Sequence, residues 1–177
     1  MRRWIIAFSI ISLRVVNIIP STTIRKLILR YIFRMKIGRN CALYSGSEYK
    51  APWKITVGDC SSIASGCIID GRRGVSIGRN VTIAFNVMIW SLQHDVNSHD
   101  FTPVGSEVSI EDNVWLASSC IILPGIKVGK GAVVASGSVV TKDVDEYSVV
   151  AGNPARVVGK RNKNLDYCSG KWELPFV

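Results

Sequence analysis

IEDNVW-LASSCI-ILPGIK-VGKGAV-VASGSV-VTKDVD, residues 110–145, is the stretch whose reading decides the fold. An aliphatic residue opens each group of six: Ile110, Leu116, Ile122, Val128, Val134 and Val140. A period of six is too long for the two-residue alternation of a strand. It also does not fit the 3.6-residue turn of a helix. It fits very short strands joined by tight turns at Gly, Asn and Asp, each strand turning one aliphatic side chain inward. A fixed short period is the signature of a solenoid, and three such strands close one triangular coil.

The beat extends upstream. Ile77, Ile83 and Ile89 carry it, preceded by Val57, Ile63, Ile69 and Val75, and before them by Ile37, Leu43 and Ile55. It slips by two between Ile55 and Val57 and again between Val75 and Ile77, so the early coils span 20 residues, with an extra pair at a corner. The coil from Ile110 to Val128 spans 18. Between Ile89 and Ile110 the beat fails altogether, and that stretch, WSLQHDVNSHDFTPVGSEVS, is polar. The expected organisation is a helical arm or cap over residues 1–36, a solenoid over 37–158 with a loop inserted at 91–109, and a tail over 159–177. Residues 161–177 carry no repeat and no readable motif.

The charge is unevenly placed. The chain of 177 residues has a formal net charge of +9. Residues 1–47 contain nine Arg and Lys and no Asp or Glu, so the rest of the chain is balanced. A neutral body argues against a nucleic-acid-binding surface. A basic arm beside it suits an anionic surface such as membrane lipid, or else its cations are the solvated faces of capping helices.

Residues 1–19 read as a mostly apolar helix stopped by Pro20, with Arg14 interrupting it. The run is shorter than the roughly 20 apolar residues a spanning helix needs and lacks a small-residue cleavage site, so peripheral contact is the expectation. Ser21 or Thr22 caps a second helix, in which Ile24, Leu27, Ile28, Tyr31 and Ile32 fall on one side and Arg25, Lys26, Arg30 and Arg34 largely elsewhere. Such a helix can lie on a membrane or cover the open end of a solenoid, which requires a cap. The five cysteines, Cys41, Cys60, Cys67, Cys120 and Cys168, form no C-x-x-C pair and read as small buried thiols in a reducing cytoplasm.

The run from Asp112 to Val144, followed by AGNPARVV, resembles the hexapeptide-repeat acyltransferases, in particular bacterial sugar and polysaccharide O-acetyltransferases. The resemblance covers roughly residues 20–160. It implies an all-β left-handed parallel β-helix, a homotrimer with its site between adjacent prisms, and acetyl-coenzyme A (acetyl-CoA) as acyl donor with no metal. Relatives carry W-I-G-A where this chain has Trp115-Leu116-Ala117-Ser118.

Both histidines, His94 and His99, lie in the break. A lone histidine is more often structural, but a polar insertion on a rigid scaffold is where function concentrates. The family places its general base in an H-D-x-N-like run here, which His94-Asp95-Val96-Asn97 matches; His99 matches no family position. Asp95 or a loop carbonyl would fix the imidazole tautomer. By the same resemblance Asn86 contacts the acceptor, although a corner of the repeat needs an Asn in any case. Trp115 packs beside the site or shields a subunit interface. For acetyl-CoA, the resemblance implies backbone contacts at Ala117 and Ala135, then Thr141 and Lys142 near the adenosine diphosphate end, with Arg156 meeting a phosphate.

The function expected is acetyl transfer to a hydroxyl of a sugar or glycan precursor of the capsule, O-antigen or exopolysaccharide type. The setting is cytoplasmic, at or near the inner face of the membrane. N-acetylation of an amino sugar nucleotide and a non-catalytic trimeric scaffold are the alternatives. The zinc carbonic anhydrase version of the prism needs three histidine ligands, and the sequence has two histidines in one loop.

Overall fold

The structure is a computed structural model that describes Val16 and residues 18–172, without the Trp172 side chain. Most of the helix expected over residues 1–19, and the end of the tail, lie outside the described residues. Three parallel sheets form the sides of a prism. Sheet I stacks Lys36–Ile37, Ile55–Val57, Val75–Ile77, Val108–Ile110 and Lys127–Val128. Sheet II runs from Ala42–Leu43 through Ser62–Ile63, Thr82–Ile83, Trp115–Leu116 and Val133–Val134 to Ser148–Ala151. Sheet III stacks Glu48–Lys50, Ile68–Asp70, Met88–Trp90, Ile121–Ile122 and Val139–Val140.

The register follows the beat. Ile37 pairs with Val57, Val57 with Ile77, Ile77 with Ile110 and Ile110 with Val128. The beat residues are buried and form one continuous core. Tyr49 fills the inward position of the first coil where the aliphatic beat was silent, and it is buried. Each corner requires a left-handed backbone residue, and Asn40, Asn80, Asn86 and Asn113 supply it, alongside glycines such as Gly66 and Gly137.

The bonding between coils gives the basic N-terminus a role. Bonds between coils run both ways, as Cys60 N to Arg39 O shows, but one set has N–H groups of one coil donating to carbonyls of the next: Gly38 N to Val57 O, Ala42 N to Ser61 O, Tyr44 N to Ile63 O. Their first-coil counterparts, Ile37 O, Cys41 O and Leu43 O, have no earlier coil to donate to them. Buried or half-buried acceptors of this kind must find donors.

The helix Thr22–Tyr31 supplies them. Ser21 caps it, its hydroxyl accepting from Ile24 N. Arg25 is fully buried and donates to Leu43 O and Ile19 O. Lys26 Nζ donates to Cys41 O, and Arg30 to Ile37 O and Gly38 O. The helix is a cap, but through its basic side. The reading of the cations as a solvated face is corrected for Arg25, Lys26 and Arg30, which donate to carbonyls that no earlier coil reaches.

At the other end the chain reverses at the cis peptide Asn153–Pro154, and Arg156–Lys160 pairs antiparallel with Ser148–Ala151, covering the last strand of sheet II.

The tail then runs back along the corner between sheets I and II. Arg161 N donates to Tyr147 O, and its guanidinium to Asn113 O and Gly131 O. Ser169 N donates to Asn80 Oδ1, and its hydroxyl to Cys60 O and Val81 O. Gly170 N also donates to Cys60 O. A side chain at Gly170 would place its Cβ 1.9 Å from Asn40 O. The segment read as featureless is thus a strap that touches this corner from the sixth coil to the first.

Candidate active site

The break in the beat is a two-stranded arm. Gln93–His94 pairs antiparallel with Pro103–Val104 at the corner where sheet III passes to sheet I. Its root is tight. Ser91 is buried, with its hydroxyl accepting from Arg73 N at 2.8 Å, and a Cβ at Gly105 would lie 2.2 Å from Ser91 O. Its tip is tied by Asp100, whose Oδ1 accepts from the hydroxyls of Ser98 and Thr102. Those hydroxyls hold the Asp100 carboxyl below the usual aspartate range.

His94 is exposed on this arm. Its Nδ1 lies 2.6 Å from Phe101 O. A carbonyl only accepts, so Nδ1 carries the proton and Nε2 is left as a free acceptor. The Phe101 ring stacks on the imidazole, centroids 3.9 Å apart and planes 10° from parallel. Phe101 holds this pose with φ at 55°, a left-handed conformation that is an outlier for a bulky residue. Sequence reasoning missed Phe101; the signal available was an aromatic seven residues past His94 in an otherwise polar loop.

Of the two tautomer partners left open, the carbonyl is the one in contact with Nδ1. Asp95 Oδ1 instead accepts from Asn97 N at 2.9 Å, closing a turn within the arm. His99 is exposed.

The other site residues fall on different edges. Asn86, Ala117 and Ala135 stack along the corner between sheets II and III, in three successive coils. Asn86 has φ 59°, and its Oδ1 occupies the space a Cβ at Gly66 would need. Ala117 N and Ala135 N donate to Val134 O and Val150 O, so both amides are committed to the ladder. Their carbonyls accept long turn bonds, from Cys120 N at 3.4 Å and Ser138 N at 3.3 Å.

Trp115 is partly exposed on sheet II, in register with Thr82 and Val133. Thr141 and Lys142 lie at the corner that bears the arm, two coils further on. Lys142 and Arg156, both exposed, line one cleft of about 250 Å³ with Val140, Val144 and Ala155.

Burial quiets three of the thiols. Burial pushes Cys67 up to about 11 and Cys120 up to about 12, and it raises Cys41 as well. Cys60 and Cys168 meet where the strap crosses the corner, and that contact raises Cys60. Protonated thiols are poor nucleophiles.

The fold and arm define a class, and comparison with known proteins agrees. Residues 107–142 match the family model described as bacterial transferase hexapeptide (six repeats). Chloramphenicol acetyltransferase of Agrobacterium fabrum (strain C58 / ATCC 33970) is 36% identical over 124 residues, 69% of this chain and 58% of that protein. The chain thus spans less than two thirds of that relative's length. WcaF of Escherichia coli (strain K12), provisionally named a colanic acid biosynthesis acetyltransferase, is 31% identical over 137 residues, 77% of this chain and 75% of that protein. A structure of galactoside acetyltransferase in complex with coenzyme A is 30% identical, with a TM-score of 0.72, covering 78% of this chain and 70% of that one. The chain belongs to the hexapeptide-repeat acetyltransferases, built on the left-handed parallel β-helix.

Proposed function

We propose that this chain transfers an acetyl group from acetyl-CoA to a hydroxyl of a sugar or glycan precursor, with His94 as general base. The observation that carries the reading is the contact of His94 Nδ1 with Phe101 O, which leaves Nε2 unprotonated and exposed. A sugar hydroxyl is a weak nucleophile while it keeps its proton. Nε2 takes that proton as the oxygen attacks the thioester carbonyl carbon. The carbon–sulfur bond then breaks, and the departing thiolate takes the proton back from the imidazolium as free thiol. Base catalysis of this kind contributes typically ~10²–10⁴ in rate. The buried, protonated thiols of Cys41, Cys67 and Cys120 support direct transfer over an acyl-enzyme route.

The residues present fit the donor. Small Ala117 and Ala135 leave a lane along one edge, and Lys142 and Arg156 converge in a cleft where phosphate oxygens would find cations. The lane and the arm leave different edges of the prism, which supports a homotrimer in which the arm of one subunit reaches the lane of the next. The setting proposed is the cytoplasmic side of the inner membrane, where glycan precursors are carried.

The test is release of free thiol from acetyl-CoA across a panel of sugars, sugar nucleotides and glycan fragments. At least one acceptor should stimulate release. A His94→Ala protein that matches the wild-type rate on that acceptor overturns the assignment of the base. Light scattering should give the mass of three chains.

A further inference from the structure

We propose that the protein stands end-on on a lipid bilayer, held there by the outward apolar face of the capping helix Thr22–Tyr31 and not by that helix's cations. This rests on the membrane setting proposed above and replaces its expected electrostatic basis. The helix is worn inside out. Arg25, Lys26 and Arg30 spend their charge on carbonyls of the first coil. What faces away from the prism is Ile24, Leu27 and Tyr31, with Ile32 beside them; Leu27 is 47% exposed and Tyr31 71%. Ile18, just before the helix, is 77% exposed. Spacing of three and four residues places Ile24, Leu27 and Tyr31 on one stripe.

Three observations choose lipid as the occupant. The stripe sits at the very end of the solenoid, so a plane can approach it without meeting the coils. It continues in sequence into WIIAFSIISLRVV, residues 4–16, which is apolar apart from Arg14 and two serines. No Asp or Glu occurs before Glu48, so nothing in this end of the chain repels anionic headgroups, while Arg34 and Lys36 remain exposed beside the helix. No helix among the described residues is long and apolar enough to cross a membrane. The chemistry fits a helix lying in the interface, with hydrocarbon contact first and headgroup charge second.

The experiment is co-sedimentation of the full chain with vesicles of pure phosphatidylcholine and of phosphatidylcholine with 30% phosphatidylglycerol, at low and high salt. The protein should sediment with both, prefer the anionic vesicles at low salt, and stay on the neutral ones at high salt. Ile24→Ser/Leu27→Ser/Tyr31→Ser should lower partitioning at least tenfold, while Arg34→Gln/Lys36→Gln should remove only the salt-dependent part. Wild-type protein that stays in the supernatant, or a triple variant that sediments like wild type, overturns the proposal. So does a triple variant whose mass in light scattering falls below that of the wild type, which assigns the face to a second copy. Hydrogen exchange on the unaltered protein supplies a check free of any folding defect: amides of residues 22–32 should slow on adding vesicles, and unchanged exchange there overturns the proposal. Thiol release toward a soluble acceptor should be the same in wild type and triple variant, so failure of the acyl-transfer reading is visible separately.

Discussion

The arm at residues 91–107 and the strap at 161–172 both leave the six-residue repeat, and they use their polar groups in opposite ways. The arm satisfies itself. Phe101 O meets His94, Asp95 meets Asn97, and Asp100 gathers the hydroxyls of Ser98 and Thr102. It can therefore stand away from the prism and hold one imidazole in a fixed tautomer. The strap spends its donors on the corner instead, at Asn113, Gly131, Asn80 and Cys60. It lies against the body of the prism. A self-contained excursion can present chemistry; an excursion bonded along its length can only hold the body together.

Substitutions should separate the two. The largest effect is expected at His94→Ala, where activity falls by ~10²–10⁴ while the melting temperature stays put, because the side chain is exposed. Steady-state thiol release and calorimetry on the same protein would check both halves. Gly170→Ala should do the reverse. Its Cβ has no room against Asn40 O, so stability should drop by about 1–3 kcal/mol in urea unfolding, with activity per folded molecule retained. Phe101→Gly keeps the left-handed backbone but removes the stacked ring. A loss of about 0.5–1.5 kcal/mol of positioning corresponds to a rate lower by up to about tenfold, with KM little changed. Ser169→Ala removes hydroxyl donation to Cys60 O and Val81 O, a destabilisation of about 0.5–1.5 kcal/mol that a denaturant titration would resolve.

Acid should part the two regions as well. Asp100 has a folded-state pKa below the ordinary aspartate value, held there by Ser98 first and Thr102 second. Its contribution is complete above the unfolded value of about 3.9 and is lost as pH falls through the lower folded value. The strap's contacts named above are to backbone and amide oxygens and do not titrate. Hydrogen exchange between pH 5 and pH 2.5 should therefore show the arm tip loosening first; a strap that opens before the arm would contradict the comparison.

Much of this was legible in the residues. Ile110 through Val140 announced the coil, the slips at Ile55–Val57 and Val75–Ile77 announced its early length, and the loss of the beat after Ile89 marked the arm. What stayed hidden has a common physical cause: it depends on which way backbone groups point. The Arg25, Lys26 and Arg30 side chains could be read as solvated because composition does not say that Leu43 O, Cys41 O and Ile37 O face the helix. Phe101 looked like a loop aromatic because nothing in its identity foretells a left-handed φ. The strap had no pattern to read, since Ser169 and Gly170 bond to coils about 90 to 110 residues away in sequence.

The strap also changes how the molecule comes apart. In a solenoid each repeat contacts only its neighbours, so ends can fray one coil at a time. Here a single segment, continuous with the last coil, is bonded to the corner at Asn113, Asn80 and Cys60 and passes against Asn40. Loss of the first coil uncovers the strap's far end, and loss of the last releases its root. Terminal coils separated by four others are thus tied to one segment, and the one-dimensional stack is expected to denature as a single cooperative body.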